Sequence, residues 1–445
     1  MTKMCFSGGR NQAGGNRSAP EGVVMTTNIV DGSGAGTRQG DPGPSGGLKR
    51  QYFPELQGIR ALAVLAVITV HSAFTGGLLG VDGRPGDGFG AILLERVTRE
   101  SLPILFALSG FLLYRPFVLV TLAGAARPNL KAYAWRRFLR IFPAFWLVVV
   151  GTLILIGGDK VTGFWQVFRV VIMQHVYVAG DITPGLESTW SMATEIAFYV
   201  ALPIMAWAGH RMTRSVADPV AKARRLLAAL FVVILIGYAY SAYSHLPELG
   251  PYPVQGNWPP GWFGYLSIGM GLAVLSVAAE IRPDRLIGPY RWIARHPGAT
   301  WAVAGIVILL FCFSPAGGQG TVDYPPTSVL LFDQPIDLLI TGLLLAPLTV
   351  PGMRSKVLSG LLTFGPLQYV GRVSYSMFLW HIPFIYIWNG SLFGAESFPL
   401  LLLQVMGSSF LTAVAAYYLV EKPALTLRNK LGKASKEPST PVLVR

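Results

Sequence analysis

Residues 58–79 read GIRALAVLAVITVHSAFTGGLL, with Arg60 near the start, His71 toward the end and no other ionisable side chain. A helix of about 20 apolar residues, rising about 1.5 Å per residue, spans a bilayer core of about 30 Å. A helix on a soluble domain carries an apolar stripe and a polar face, and this stretch has no polar face. It reads as a membrane span. Working outward from it, comparable runs fall at about 102–125, 141–158, 190–209, 226–244, 261–279, 299–316, 335–351, 372–391 and 397–420. The expected fold is all-α: a polytopic transmembrane helical bundle of about ten spans. The stretch 161–180 is also apolar, but it holds Arg169 and His175. It is expected to be interfacial or re-entrant and not to cross.

Composition agrees with this reading. Of the 445 residues 52% are apolar and 13% charged, against about 25% charged in an ordinary soluble domain. Cys5 and Cys312 are the two cysteines, too few for a disulfide framework or a cysteine-based metal site. The six histidines are scattered, so no metal is expected, although two of them could meet in space. Residues 7–47 are rich in Gly, Ser and Pro and lack the apolar core of a signal peptide. The organisation expected is a disordered cytoplasmic tail over 1–50, a transmembrane domain over 51–426 and a second such tail over 427–445.

A net charge of +14 would suit a nucleic-acid partner, but the placement of the cations argues for topology instead. With ten spans laid out, 29 of the 36 lysines and arginines fall on the side that holds both termini. Five fall on the other: Arg84, Arg96, Arg99, Lys160 and Arg169. Cytoplasmic loops carry the basic excess in membrane proteins, so both termini are expected to be cytoplasmic. The chain is expected in the cell membrane as a multi-pass protein with no nucleic-acid partner.

An ionisable side chain at mid-membrane costs about 2.5–3.5 kcal/mol on insertion scales, so each one calls for a reason. Arg60 and His71 are eleven residues apart, close to three helical turns, and so share a face about 16 Å apart. A snorkelling Arg and a hydrogen-bonded core His fit this pattern; so do a phosphate contact and a buried base. Arg137 and Arg140 stand three apart at the entry to the third span, with Pro143 fitting a first helical turn. They read either as anchoring cations or as a phosphate clamp, since the forked guanidinium suits phosphate. Ser191, Glu195 and Tyr199 recur every four residues and draw one polar stripe on the fourth span. Glu195 has no partner on its own helix, which favours function. In the ninth span His381 and Ser374 share a face, and a structural hydrogen bond competes with a substrate contact. Ser109-Gly110-Phe111 offers small residues for close helix contact. No HExxH, Walker A, GxSxG or GxGxxG motif and no internal repeat is present.

Taken in order, these segments resemble acyltransferase family 3, membrane enzymes that O-acylate sugars, lipid-linked glycans and cell-wall polymers. The fragments are GIRALAVLAVITVHS, LPILFALSGFLLYRPF, RRFLRIFPAFWL, WSMATEIAFYVALP, VGRVSYSMFLWHIPF and the terminal Glu421-Lys422-Pro423, spread over about Leu56–Pro423. The resemblance implies an acyl-CoA donor arriving from the cytoplasm and no permanently bound cofactor. It maps Arg60 and His71 onto the family's Arg/His pair, Arg137 and Arg140 onto its Arg-x-x-Arg motif, and Glu195 onto the acid of its Trp-Ser motif. The first-span Asp-Gly-Leu-Arg is here Gln57-Gly-Ile-Arg60, and the Trp-Ser motif lacks a second acid. Some relatives carry a fused hydrolase-like domain; none is expected here.

The expected reaction moves an acyl group, acetyl or another short one, from acyl-CoA to a hydroxyl of a lipid or glycan of the cell envelope. A neutral buried His suits the base that deprotonates the acceptor, so His71 and Glu195 are the expected catalytic pair. Arg60, Arg137 and Arg140 are expected to hold the donor, and Ser191, Tyr199 and His381 to line the substrate site, Tyr199 or Ser191 serving as possible oxyanion donors. A multi-span transporter or flippase is the alternative, since buried Arg, His and Glu suit it too. A glycosyltransferase would want a larger loop than 159–189.

Overall fold

A computed structural model describes residues 53–433, except 80–87, 158–160, 162, 251–252, 315–324, 353–354 and 395–396, with side chains to residue 427. The tail 1–50, the end of the second tail past Lys433, and the loop cations Arg84, Lys160 and Arg354 lie outside the described residues.

Every regular element among the described residues is helical. The chain runs through α1 (Glu55–Thr75), α2 (Gly88–Arg99), α3 (Ser101–Ala123), α4 (Leu130–Thr152), α5 (Phe164–Val171), α6 (Trp190–Thr213) and α7 (Pro219–Ser244). It continues through α8 (Phe263–Ile281), α9 (Tyr290–Arg295), α10 (Pro297–Cys312), α11 (Thr327–Thr349), α12 (Lys356–Leu362), α13 (Gly365–Asn389), α14 (Phe398–Ala416) and α15 (Lys422–Lys433). Eight segments are long and apolar enough to cross a membrane, built on α1, α2–α3, α4, α6, α7, α8, α11 and α14. The two remaining expected spans are also helices. α10 is short at 16 residues, and α13 is long at 25 but carries Arg372, Ser374, Ser376 and His381. Among the described residues of 161–180 the longest helix is the eight-residue α5, at about 12 Å too short to cross. Phe164 and Trp165 are exposed on it, as suits a helix lying at the interface.

α8 is the central helix: 72% of its apolar stretch is buried inside the protein, against 22% for α7 and for α14. The outward faces of the peripheral helices show large apolar side chains, among them Leu403, Leu411 and Leu419, which suit lipid. Lipid tails are as apolar as leucine, so close packing holds such helices together in place of a hydrophobic drive. α3 and α8 meet through glycine. A Cβ on Gly110 would stand 2.1 Å from the Leu266 carbonyl oxygen, and one on Gly269 only 1.8 Å from that of Ala107. The two largest apolar cores among the described residues lie one around α3, α6, α7 and α8 and one around α1, α4, α13 and α14. Trp190 and Tyr199 of α6 pack against both.

Three expectations need correction. Pro143 lies in the middle of α4, because the helix starts at Leu130, where the Asn129 side chain accepts a bond from the Ala132 N–H at 3.0 Å. An N-cap of this kind fixes a start wherever it offers an oxygen to the free N–H groups. Second, α15 carries helix past Leu427, where a polar tail was expected. Third, Arg96 and Arg99 are not loop cations. They end α2 and pair with Asp333 (3.8 and 3.3 Å), and Arg99 also with Asp337 (3.7 Å). Asp333 and Asp337 lie buried within α11; removing one partner from such a buried pair costs about 3–5 kcal/mol.

Candidate active site

The seam between the two cores opens into two chambers. The first, about 440 Å³, is lined by Arg60 of α1, by Arg136, Arg137 and Arg140 of α4, and by Arg372 of α13. The polar stripe of α6 faces it too, with Ser191, Glu195 and Tyr199 in its wall. Five guanidinium groups thus share the lining of the first chamber with one carboxylate, Glu195.

Its arginines are held in different ways. Arg140 pairs with Glu421 at 3.1 Å and lies over the Tyr375 ring. Glu421 closes a π-helical turn, Tyr417–Glu421, at the end of α14, and also accepts from Ser376 Oγ at 2.7 Å. Such turns shift a side chain off its ordinary helical register, here keeping the Glu421 carboxylate buried. Arg137 has no carboxylate within ion-pair distance among the described residues. It stands near the rings of Tyr133 (5.9 Å) and Tyr199 (5.7 Å), and its Nε is buried without a hydrogen-bond partner. Arg137 therefore has a hydrogen bond to gain from an incoming anion.

Glu195 finds a partner on a neighbouring helix: Ser109 Oγ of α3 donates to it at 2.6 Å. Sequence reading took Ser109 only as a packing residue, because nothing local signals a bond to a residue 86 positions away. Ser191 lines the chamber, but its hydroxyl donates to the Ser188 carbonyl at 2.8 Å. That proton is committed, so Ser191 is not the oxyanion donor in this arrangement.

His71 is the principal departure. It shares a face with Arg60 but sits one turn from the end of α1, and it lines a second chamber of about 480 Å³ that Arg60 does not reach. The two chambers share Leu102, Ser191 and Phe378 in their walls, so these residues form the partition. The ring of His71 meets that of His381 from α13, centroids 5.0 Å apart and tilted at 59°. Two scattered histidines do come together.

Their tautomers follow from the backbone. His71 Nδ1 lies 2.8 Å from the Val67 carbonyl oxygen, and His381 Nδ1 bonds the Phe378 carbonyl oxygen. A carbonyl only accepts, so each Nδ1 carries its proton and, in the neutral ring, each Nε2 presents a lone pair. His381 Nε2 is buried with no partner. His71, which lines the second chamber, thus offers a ring nitrogen able to take a proton, with His381 in ring contact behind it. Among the described residues no group of three or more His, Cys, Asp or Glu side chains is placed to hold a metal.

A sequence model of the family described as an acyltransferase domain matches residues 53–419. YrhL of Bacillus subtilis, whose name assigns it peptidoglycan O-acetylation, is 26% identical over 400 residues, covering 84% of this chain and 55% of that protein. The peptidoglycan O-acetyltransferase OatA of Listeria monocytogenes is 26% identical over 355 residues, covering 76% and 50%. The O-acetyltransferase OatA of Staphylococcus aureus is 24% identical over 369 residues, covering 76% and 51%. The chain therefore spans about half the length of the curated relatives it matches. With the family match running from before α1 into the π-helical turn after α14, this multi-pass membrane protein belongs to acyltransferase family 3.

Proposed function

We propose that the chain is a membrane-embedded O-acyltransferase that moves a short acyl group, acetyl in the first instance, from acyl-CoA to a hydroxyl of a cell-envelope glycan. The observation that carries this is the junction of a chamber with five arginines to one lined by His71, whose ring meets that of His381, across a partition of three residues. The named activities of the relatives supply the acetyl group and the glycan as the first acceptor class to test; the same names weigh against a transporter.

In this reading the phosphates of the donor settle among Arg60, Arg137 and Arg140, and the pantetheine arm runs along α1 toward Leu102, Ser191 and Phe378. Arg60 and His71 are eleven residues apart on α1, about 16 Å along the helix, which suits a thioester held well away from its phosphates. His71 Nε2 takes the proton of the acceptor hydroxyl as the oxygen attacks the thioester carbonyl. The C–O bond forms, the C–S bond breaks, and the coenzyme A thiolate leaves and recovers the proton from His71. His381, in ring contact with His71, supports the imidazolium through its own free Nε2. Glu195, held by Ser109 in the cationic chamber, opposes the cluster and orients the arginines. By the placement of cations in the loops, the arginine end of the bundle faces the cytoplasm, where acyl-CoA is made.

The test is mass spectrometry of envelope glycans and lipids from a deletion strain with and without the complementing gene. The expected result is loss of an acetyl-sized increment, restored by the wild-type chain but not by His71→Gln. An unchanged acyl inventory, together with failure of the purified protein to bind acetyl-CoA, overturns the proposal.

A further inference from the structure

The second chamber differs from the first in charge, in aromatic content and in the hydrogen bonds it leaves open. Its charged or titratable side chains are one arginine, Arg99, two carboxylates, Asp337 and Glu187, the imidazoles His71 and His245, and the phenol Tyr265. Arg99 is committed to Asp333 and Asp337. Glu187 accepts from the Tyr386 hydroxyl at 2.6 Å and from the Gly185 N–H at 2.8 Å. No free cation therefore offers itself to an anion here, in contrast to the first chamber.

The open groups are acceptors. Gln334 Nε2 donates to Ser241 Oγ at 3.1 Å and to the Gly261 carbonyl at 3.3 Å. The carbonyl fixes the orientation of the amide, because only the NH₂ side can donate to it. Gln334 Oε1 is left buried with no partner, as is Asp337 Oδ1, and both residues line this chamber. His71 Nε2 is a third acceptor, by its tautomer. A buried acceptor without a donor costs about 1–3 kcal/mol, so these three in one chamber call for a ligand rich in O–H donors. The chamber also carries a cluster of tilted aromatic rings. Trp262 lies 4.6 Å from Trp190 and 5.8 Å from Tyr265, centroid to centroid, at 42° and 34°, and the face of one indole suits the C–H face of a sugar ring.

We infer that the second chamber is the acceptor subsite, which takes a neutral, hydroxyl-rich pyranose stacked on Trp262 with its hydroxyls donating to Gln334 Oε1 and Asp337 and one hydroxyl directed to His71 Nε2. This assignment rests on the acyl-transfer reading for its chemistry, but the recognition of the sugar stands on the chamber alone. The two substrates then approach the partition from opposite ends of the bundle. An anionic donor is drawn to the arginines. A neutral acceptor meets no competing charge.

The experiment uses the full chain in nanodiscs, with chitotetraose as the sugar probe and radiolabelled acetyl-CoA as the donor probe. Titration with chitotetraose should shift tryptophan emission in the wild type. Gln334→Leu should weaken that response tenfold or more, and Trp262→Phe, which keeps the bulk, should reduce it. Both variants should bind acetyl-CoA within twofold of wild type. In the complemented strain their envelope acetylation should fall at least tenfold. No emission response at millimolar chitotetraose overturns the subsite, whatever the acyl chemistry does. Wild-type sugar binding and envelope acetylation in a folded Gln334→Leu variant overturn it too, as does loss of acetyl-CoA binding in that variant, which would make the chamber part of the donor site. Sugar binding with no acetyl-CoA binding and no acyl loss in the deletion strain leaves the subsite standing and removes the acyl-transfer reading instead.

Discussion

Replacing His71 by Gln separates a base from a structural residue. His71 makes one hydrogen bond, Nδ1–H to the Val67 carbonyl at 2.8 Å, and one ring contact, to His381. Losing a side chain to backbone bond of this kind costs about 0.5–1.5 kcal/mol, and a glutamine amide can remake it. The variant should therefore insert, keep its detergent melting temperature within a few degrees, and bind acetyl-CoA through an untouched arginine cluster. What it cannot do is take a proton near neutral pH. Removing a general base typically costs about 10²–10⁴-fold in rate, which is about 2.7–5.4 kcal/mol in the barrier. The assay is the rate of radiolabelled acetyl incorporation into envelope glycan by membranes matched for protein level. Incorporation should fall at least a hundredfold while donor binding stays within twofold. A variant that transfers within tenfold of wild type refutes the assignment of His71 as base and moves the search to His381. A variant that loses expression and donor binding together makes His71 structural.

Arg137→Ala should raise the apparent KM for acetyl-CoA tenfold or more in a protein that still folds, with Lys rescuing only part of the loss because a point charge cannot form the fork; an unchanged donor KM returns Arg137 to anchoring. Arg140→Ala should behave differently, losing stability as well, since it strands the buried carboxylate of Glu421, and Arg140→Ala combined with Glu421→Gln should recover part of the melting temperature. Gly269→Leu should abolish accumulation of folded protein because its side chain would enter the Ala107 carbonyl; normal yields in detergent would contradict the α3–α8 packing. His175, in the connection between α4 and α6, is buried and its imidazole is pushed down to about 4 by that burial. A histidine held neutral in the fold keeps its stabilising effect above its unfolded value near 6.5 and loses it as pH falls from there toward about 4. Melting temperature should therefore drop over that window, and less so in His175→Gln.

The apolar runs, the all-helical architecture and the grouping of polar positions on α6 were legible in the sequence because each rests on local periodicity. A helix fixes which residues share a face, so Ser191, Glu195 and Tyr199 could be placed on one wall before any fold was known. The same rule put Arg60 and His71 on one face and suggested one site for both, and there local geometry ran out. A wall formed by Leu102, Ser191 and Phe378, from three different helices, divides that face into two chambers, and no spacing along α1 records it. Long-range partners were invisible for the same reason. Ser109 reaches Glu195, Glu421 reaches Arg140, and Asp333 and Asp337 turn Arg96 and Arg99 from loop cations into buried pairs. The meeting of His71 with His381 belongs to this class as well. The sequence supplied two histidines on two apolar helices; the packing of α1 against α13 brought their rings into contact, and backbone carbonyls on each helix set which nitrogen stays bare.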